Sequence, residues 1–147
     1  MTKSPASADL VTELILEVFR LNGRLLAAGD DLVADIGLTS ARWQVLGAVA
    51  YSSAPDSVSG LARGMGLTRQ AVQRVVNDLV DLGLLALGPN PNHQRAPLVL
   101  FTPKGRAAYD QAADRQGPWA ERLCEGVARA DLELALRLLR DLGERLA

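Results

Sequence analysis

At 147 residues the chain has the length of one ordinary globular domain, with 48% apolar residues to fill a core and 22% charged. That balance excludes an intrinsically disordered chain, and a net charge of −1 excludes a uniformly cationic nucleic-acid coat. One cysteine, Cys124, excludes an intramolecular disulfide; with no apolar run of membrane-spanning length and no signal-like start, the expectation is a soluble cytoplasmic protein with no membrane partner.

In chain order, Ser7 or Asp9 is placed to cap a first helix, with Leu10, Leu14, Val18, Leu21 and Leu25 recurring every three or four residues. A break is expected near Gly29-Asp30, followed by a short segment, LVADIG. Thr39 caps a second helix, SARWQVLGAVAY, with Trp43, Leu46 and Ala50 on one face. The stretch SSAPDSVSG has the composition of a loop.

The next segment, SVSGLARGMGLTRQAVQRVVNDLVDLGLL, predicts a short helix, a glycine turn and a longer helix. Ala62 supplies a small residue where the two helices touch, Gly66 a turn residue free to adopt positive φ, and Val72 a branched seal; Leu61, Met65, Leu67 and Val75 fill the neighbouring apolar positions. This is a helix-turn-helix pattern. Thr68 caps the second helix, which turns Val72, Val75, Val76 and Leu79 inward and Arg69, Gln70, Gln73, Arg74 and Asn77 outward. Every one of these outward side chains donates hydrogen bonds and none is acidic, a surface suited to base edges and phosphates of the major groove. From Val58 to Arg106 six basic residues stand against two acidic ones, so this stretch carries +4 and the rest −5.

Leu84 to Leu87, the polar turn GPNPNHQRAP and then LVLFT predict two strands joined by a projecting loop, with His93, Gln94 and Arg95 at its tip. Arg95 is the best single candidate there for a phosphate or the minor groove. Ser40 and Arg42, at the start of the second helix, complete the candidate DNA contacts. Thr102-Pro103 opens a further helix, PKGRAAYDQAADRQ, expected to kink at Gly117-Pro118 and resume from Trp119 to about Arg129. A last helix follows Asp131, with Leu132, Leu136, Leu139, Leu142 and Leu146 in one stripe. A lobe of about fifty residues cannot cover both this stripe and that of the first helix, which points to a homodimer. One His and one distant Cys give no metal site, and no catalytic cluster or cofactor motif is evident.

GLTSARWQVLGAV, the helix-turn-helix segment and NPNHQRAPLVLFTPKGR together resemble the MarR family of winged-helix regulators over almost the whole chain. The resemblance implies a mainly α fold of α+β winged-helix type in a single domain, 1–147. About 8–30 and 106–147 would be dimerisation helices, and about 38–105 the DNA-binding lobe. It further implies a homodimeric transcription regulator, usually a repressor, on a pseudo-palindromic operator. Arg74 and Arg95 match basic positions of the family's recognition helix and wing. The tip departs from the pattern: His93-Gln94-Arg95 lacks the acidic residue that anchors the wing arginine. Similar proteins bind small aromatic or anionic effectors, for which Arg20, Trp43 and Tyr51 (with Arg42) are candidates. Cys124, beside Leu123, is expected to be a packed, inert thiol. The alternative from another class is a winged-helix module for protein contacts.

Overall fold

The computed structural model describes residues 6–147. Among the described residues, six α-helices and three short strands follow in the order α1 (Ala6–Val33), α2 (Ser40–Tyr51), β1 (Asp56–Ser57), α3 (Val58–Met65), α4 (Arg69–Asp81), β2 (Leu85–Gly88), β3 (Leu98–Phe101), α5 (Pro103–Leu123) and α6 (Arg129–Leu146). The chain divides after Ala113, inside α5, into two compact units.

In the first unit, α1 is already helical at Ala6, so Ser7 and Asp9 lie within it and cap nothing; Asp9 instead favours its positive N-terminal end. The helix also passes through Gly29 and Asp30 and ends at Val33, followed by a 3-10 turn over Ala34–Ile36. Gly29 is there for close approach: a Cβ at that position would collide with the Ser40 hydroxyl. Thr39 caps α2 as expected, accepting from the Arg42 amide at 3.2 Å.

β1 was hidden in what composition marks as loop. It pairs antiparallel with β3, which pairs with β2, giving a sheet of order β1-β3-β2 with Leu85 opposite Phe101 and Ser57 opposite Leu98. Two residues that only close a sheet edge carry too little alternation to be legible. Thr102 fastens the hairpin to α5: its hydroxyl donates to the Gly83 carbonyl at 2.6 Å and accepts from the Gly105 amide at 3.0 Å. The core of this unit lies between α2, α3, α4 and the sheet, where Leu46, Val76 and Leu79 are wholly buried.

In the second unit, Gly117 and Pro118 sit inside one continuous α5 rather than at a break. Both are exposed, and so is Asp114, whose carbonyl Pro118 leaves without an amide partner; water can satisfy it. α5 ends at Leu123, six residues short of the expected limit, in a turn closed by the Val127 amide on the Cys124 carbonyl at 2.9 Å. α6 starts at Arg129, two residues before Asp131, and none of its residues is buried. Cys124 is exposed, not packed, because it falls in that turn; its thiol donates to the Glu121 carbonyl at 3.5 Å.

Candidate nucleic-acid interface

The helix-turn-helix forms as its spacing demands. Ala62 and Val72 are buried at the α3–α4 contact, and Gly66 takes φ 67°, the left-handed conformation that caps α3. Leu67 departs from expectation, standing half exposed in the turn. Thr68 caps α4 by accepting from the Ala71 amide at 3.2 Å, which leaves its own hydroxyl proton free to donate.

α4 buries Val72, Val76 and Leu79, and this fixes what it shows to solvent. Arg69, Gln70, Arg74 and Asn77 are exposed and Gln73 is half-buried. The Gln73 amide nitrogen donates to the Asn77 carbonyl oxygen at 2.9 Å, one turn further along. No carboxylate interrupts the surface from Arg69 to Asn77.

The loop between β2 and β3 is internally tied. The Asn90 side chain donates to the Ala96 carbonyl at 2.8 Å and accepts from the Asn92 amide at 3.0 Å. The His93 amide donates to the Asn90 carbonyl at 3.3 Å, and the Ala96 amide to that of His93 at 3.3 Å. Asn90 is therefore the residue that shapes this wing, and sequence reasoning passed over it. An Asn-Pro-Asn run, prone to Asx turns, was the signal. His93, Gln94 and Arg95 are all exposed at the tip.

A shallow groove joins helix and wing. Arg69 and Gln73 of α4 line one side and Arg95, Ala96 and Pro97 of the wing the other, with Leu87 and the residues Ser57, Val58 and Ser59 between them. Neither Arg69 nor Arg95 has an acidic partner among the described residues. Thus five expected contacts share α4's outer face, and Arg95 meets two of them across the groove.

Ser40 is a correction. It is buried, its amide donates to the Asp30 carboxylate at 2.7 Å and its hydroxyl to the Leu26 carbonyl at 2.6 Å. With every donor committed to tying α2 to α1, it offers nothing to a nucleic acid. Arg42, half-buried in the first turn of α2, is not among the groove's residues.

The effector candidates have three separate environments. Arg20 pairs with Glu17 at 3.0 Å on the surface of α1. Trp43 is half-buried against the core. Tyr51 is exposed at the end of α2, near Tyr109, whose ring lies 5.9 Å from that of Phe101. The Arg106 guanidinium covers both of those rings, at 5.3 Å from Phe101 and 5.9 Å from Tyr109. Burial and the nearby Tyr51 push the Tyr109 phenol above its usual value.

A family model described as MarR family matches residues 36–96, the helix-turn-helix and most of the wing. An uncharacterized protein of Mycobacterium tuberculosis is 39% identical over 133 residues, covering 90% of this chain and 92% of its own length. The chain belongs to the MarR family. Solved MarR-family structures show the same fold. A MarR mutant from E. coli, complexed with operator DNA, superposes with a TM-score of 0.80 at 21% identity, covering 91% of this chain and 96% of its own. CouR from Rhodococcus jostii RHA1, bound to p-coumaroyl-CoA, gives 0.78 at 24% identity and covers 95% of each chain. MarR-family proteins are transcription regulators, and the winged-helix lobe described above is the part of the chain that the family model recognises.

Proposed function

We propose that this MarR-family chain is a sequence-specific DNA-binding regulator that acts as a homodimer on a pseudo-palindromic operator and represses transcription from it. The observation that carries the reading is the carboxylate-free, donor-bearing face of α4, whose Arg69 and Gln73 share one groove with Arg95 of the wing. A helix of that width fits the major groove, and its Arg, Gln and Asn side chains match the donor and acceptor pattern of guanine and adenine edges. Thr68, Arg69, Gln70, Gln73, Arg74, Asn77, His93, Gln94 and Arg95 make up the proposed contact set.

A small aromatic or anionic effector that releases the DNA belongs to the same reading. The p-coumaroyl-CoA bound by CouR, a protein of the same fold, supports it. The reciprocal coupling expected of such an effector is testable, since whatever weakens DNA binding must itself be bound more weakly by the DNA complex.

Selection from pooled random duplex DNA tests the reading. The expected result is a palindrome with half-sites about ten base pairs apart. Arg74→Ala is expected to weaken binding by about tenfold to a hundredfold and to relax the preference at one base position, since a bidentate base contact contributes about 1–3 kcal/mol. A folded protein that enriches no sequence contradicts it.

A further inference from the structure

We propose that the groove between α4 and the wing seats one backbone phosphate of duplex DNA, clamped by Arg69 from the helix and Arg95 from the hairpin. The inference rests on the DNA-binding reading and divides the labour within it. Arg69 and Arg95 hold the duplex in register, and Gln70, Arg74 and Asn77 are left to read bases.

The argument is geometric. A helix lying in the major groove and a hairpin reaching the adjoining minor groove must straddle the sugar-phosphate strand that separates them. What faces the cleft between helix and hairpin is then a phosphate and not a base edge. The residues lining the cleft have the matching chemistry. Two guanidiniums border it from different elements, neither neutralised by a carboxylate among the described residues. A guanidinium fork pairs with phosphate through two parallel hydrogen bonds. Ser57 and Ser59 add hydroxyls to the same lining. The Ser57 oxygen accepts from the Gly60 amide at 3.3 Å, so its proton remains available to donate. The Asp56 carboxylate accepts from the Ser57 amide at 2.7 Å and is not among the residues lining the cleft. The inherited shape of the wing serves the clamp too. The Asn90 bonds to Ala96 and Asn92 fix the loop next to Arg95 and set the arginine's approach without an acidic anchor at the tip.

Arg69→Ala, Arg95→Ala and the double variant separate this from other roles. Binding to a mixed-sequence duplex is followed by fluorescence anisotropy across a salt series, with selection from the random pool alongside and circular dichroism as a control for folding. Each single variant is expected to lose about tenfold in affinity, as for a charge-assisted hydrogen bond. The double variant loses little more than the worse single, because both arginines serve one phosphate. The slope of log affinity against log salt falls by about one per protomer in the double variant, and the selected sequence stays the same. Additive losses with a slope change of about two would overturn the shared seat, as would a changed base preference in either single variant. A wild-type protein that retains no duplex would remove the DNA reading itself, an outcome distinct from both.

Discussion

α4 and α6 are both amphipathic, yet the first finds its core within the chain and the second does not. On α4, Val72, Val76 and Leu79 are 1%, 0% and 0% exposed. On α6, Leu132, Leu136 and Leu139 stand at 47%, 48% and 46%, and on α1 Leu10 and Phe19 at 66% and 68%. Each fully buried leucine stabilises by about 1.5–3 kcal/mol relative to an exposed one, so the stripes on α1 and α6 represent apolar burial the single chain does not achieve. Exposed apolar surface on this scale marks an association surface. The lobe that carries α4 buries its own apolar stripe, whereas α1 and α6 leave theirs exposed in the single chain, which supports the homodimer proposed above.

The largest expected effects divide along that line. Leu79→Ala leaves a void in the lobe's core and is expected to cost about 2–5 kcal/mol, read as a lower urea midpoint. Leu136→Glu with Leu139→Glu is expected to leave the lobe folded and to abolish the dimer, read by sedimentation equilibrium. Because association itself adds stability by mass action, that variant also unfolds at a midpoint no longer dependent on protein concentration. A charged α6 that sedimented with unchanged mass would show that its stripe faces no second chain.

The same division explains what the sequence made legible. The helix-turn-helix was readable because its constraints are local: a small residue, a glycine and a branched seal at fixed spacing, all of them found in place at Ala62, Gly66 and Val72. The donor face of α4 followed from the same periodicity. What escaped depends on contacts distant in sequence. Gly29 suggested a break because glycine is a poor helix former, and only the approach of Ser40 explains why the helix keeps it. Ser40, a candidate DNA contact by sequence, is tied instead to partners ten and fourteen residues away. The groove that unites Arg69 with Arg95 joins positions twenty-six residues apart, and no spacing rule connects them.

A smaller effect tests the joint between α1 and α2. Ser40→Ala removes the donor to the Leu26 carbonyl while the Asp30 carboxylate keeps the residue-40 amide. The expected loss is about 1–2 kcal/mol in chemical denaturation, with DNA affinity unchanged in the folded protein. A variant of full stability that bound DNA more weakly would return Ser40 to the contact set and remove it from the joint.

The smallest effect concerns the aromatic edge of the lobe, where Tyr51 meets Tyr109. Burial is the main cause that lifts the Tyr109 phenol above its usual value; the nearby Tyr51 adds to it, Arg106 opposes, and Asp110 adds a little. The folded chain therefore holds this proton more tightly than the unfolded chain does. The stability it lends is fully present below pH 10 and is lost as pH rises from there through the folded-state value. Tyr51→Phe takes away the neighbouring hydroxyl but not the burial. The Tyr109 titration, followed by phenolate absorbance, is expected to move down toward the ordinary range without reaching it, and alkaline unfolding to begin slightly earlier. An unmoved titration would mean that burial alone sets the shift, so that this edge of the lobe, like its core, is closed by packing and owes nothing to Tyr51.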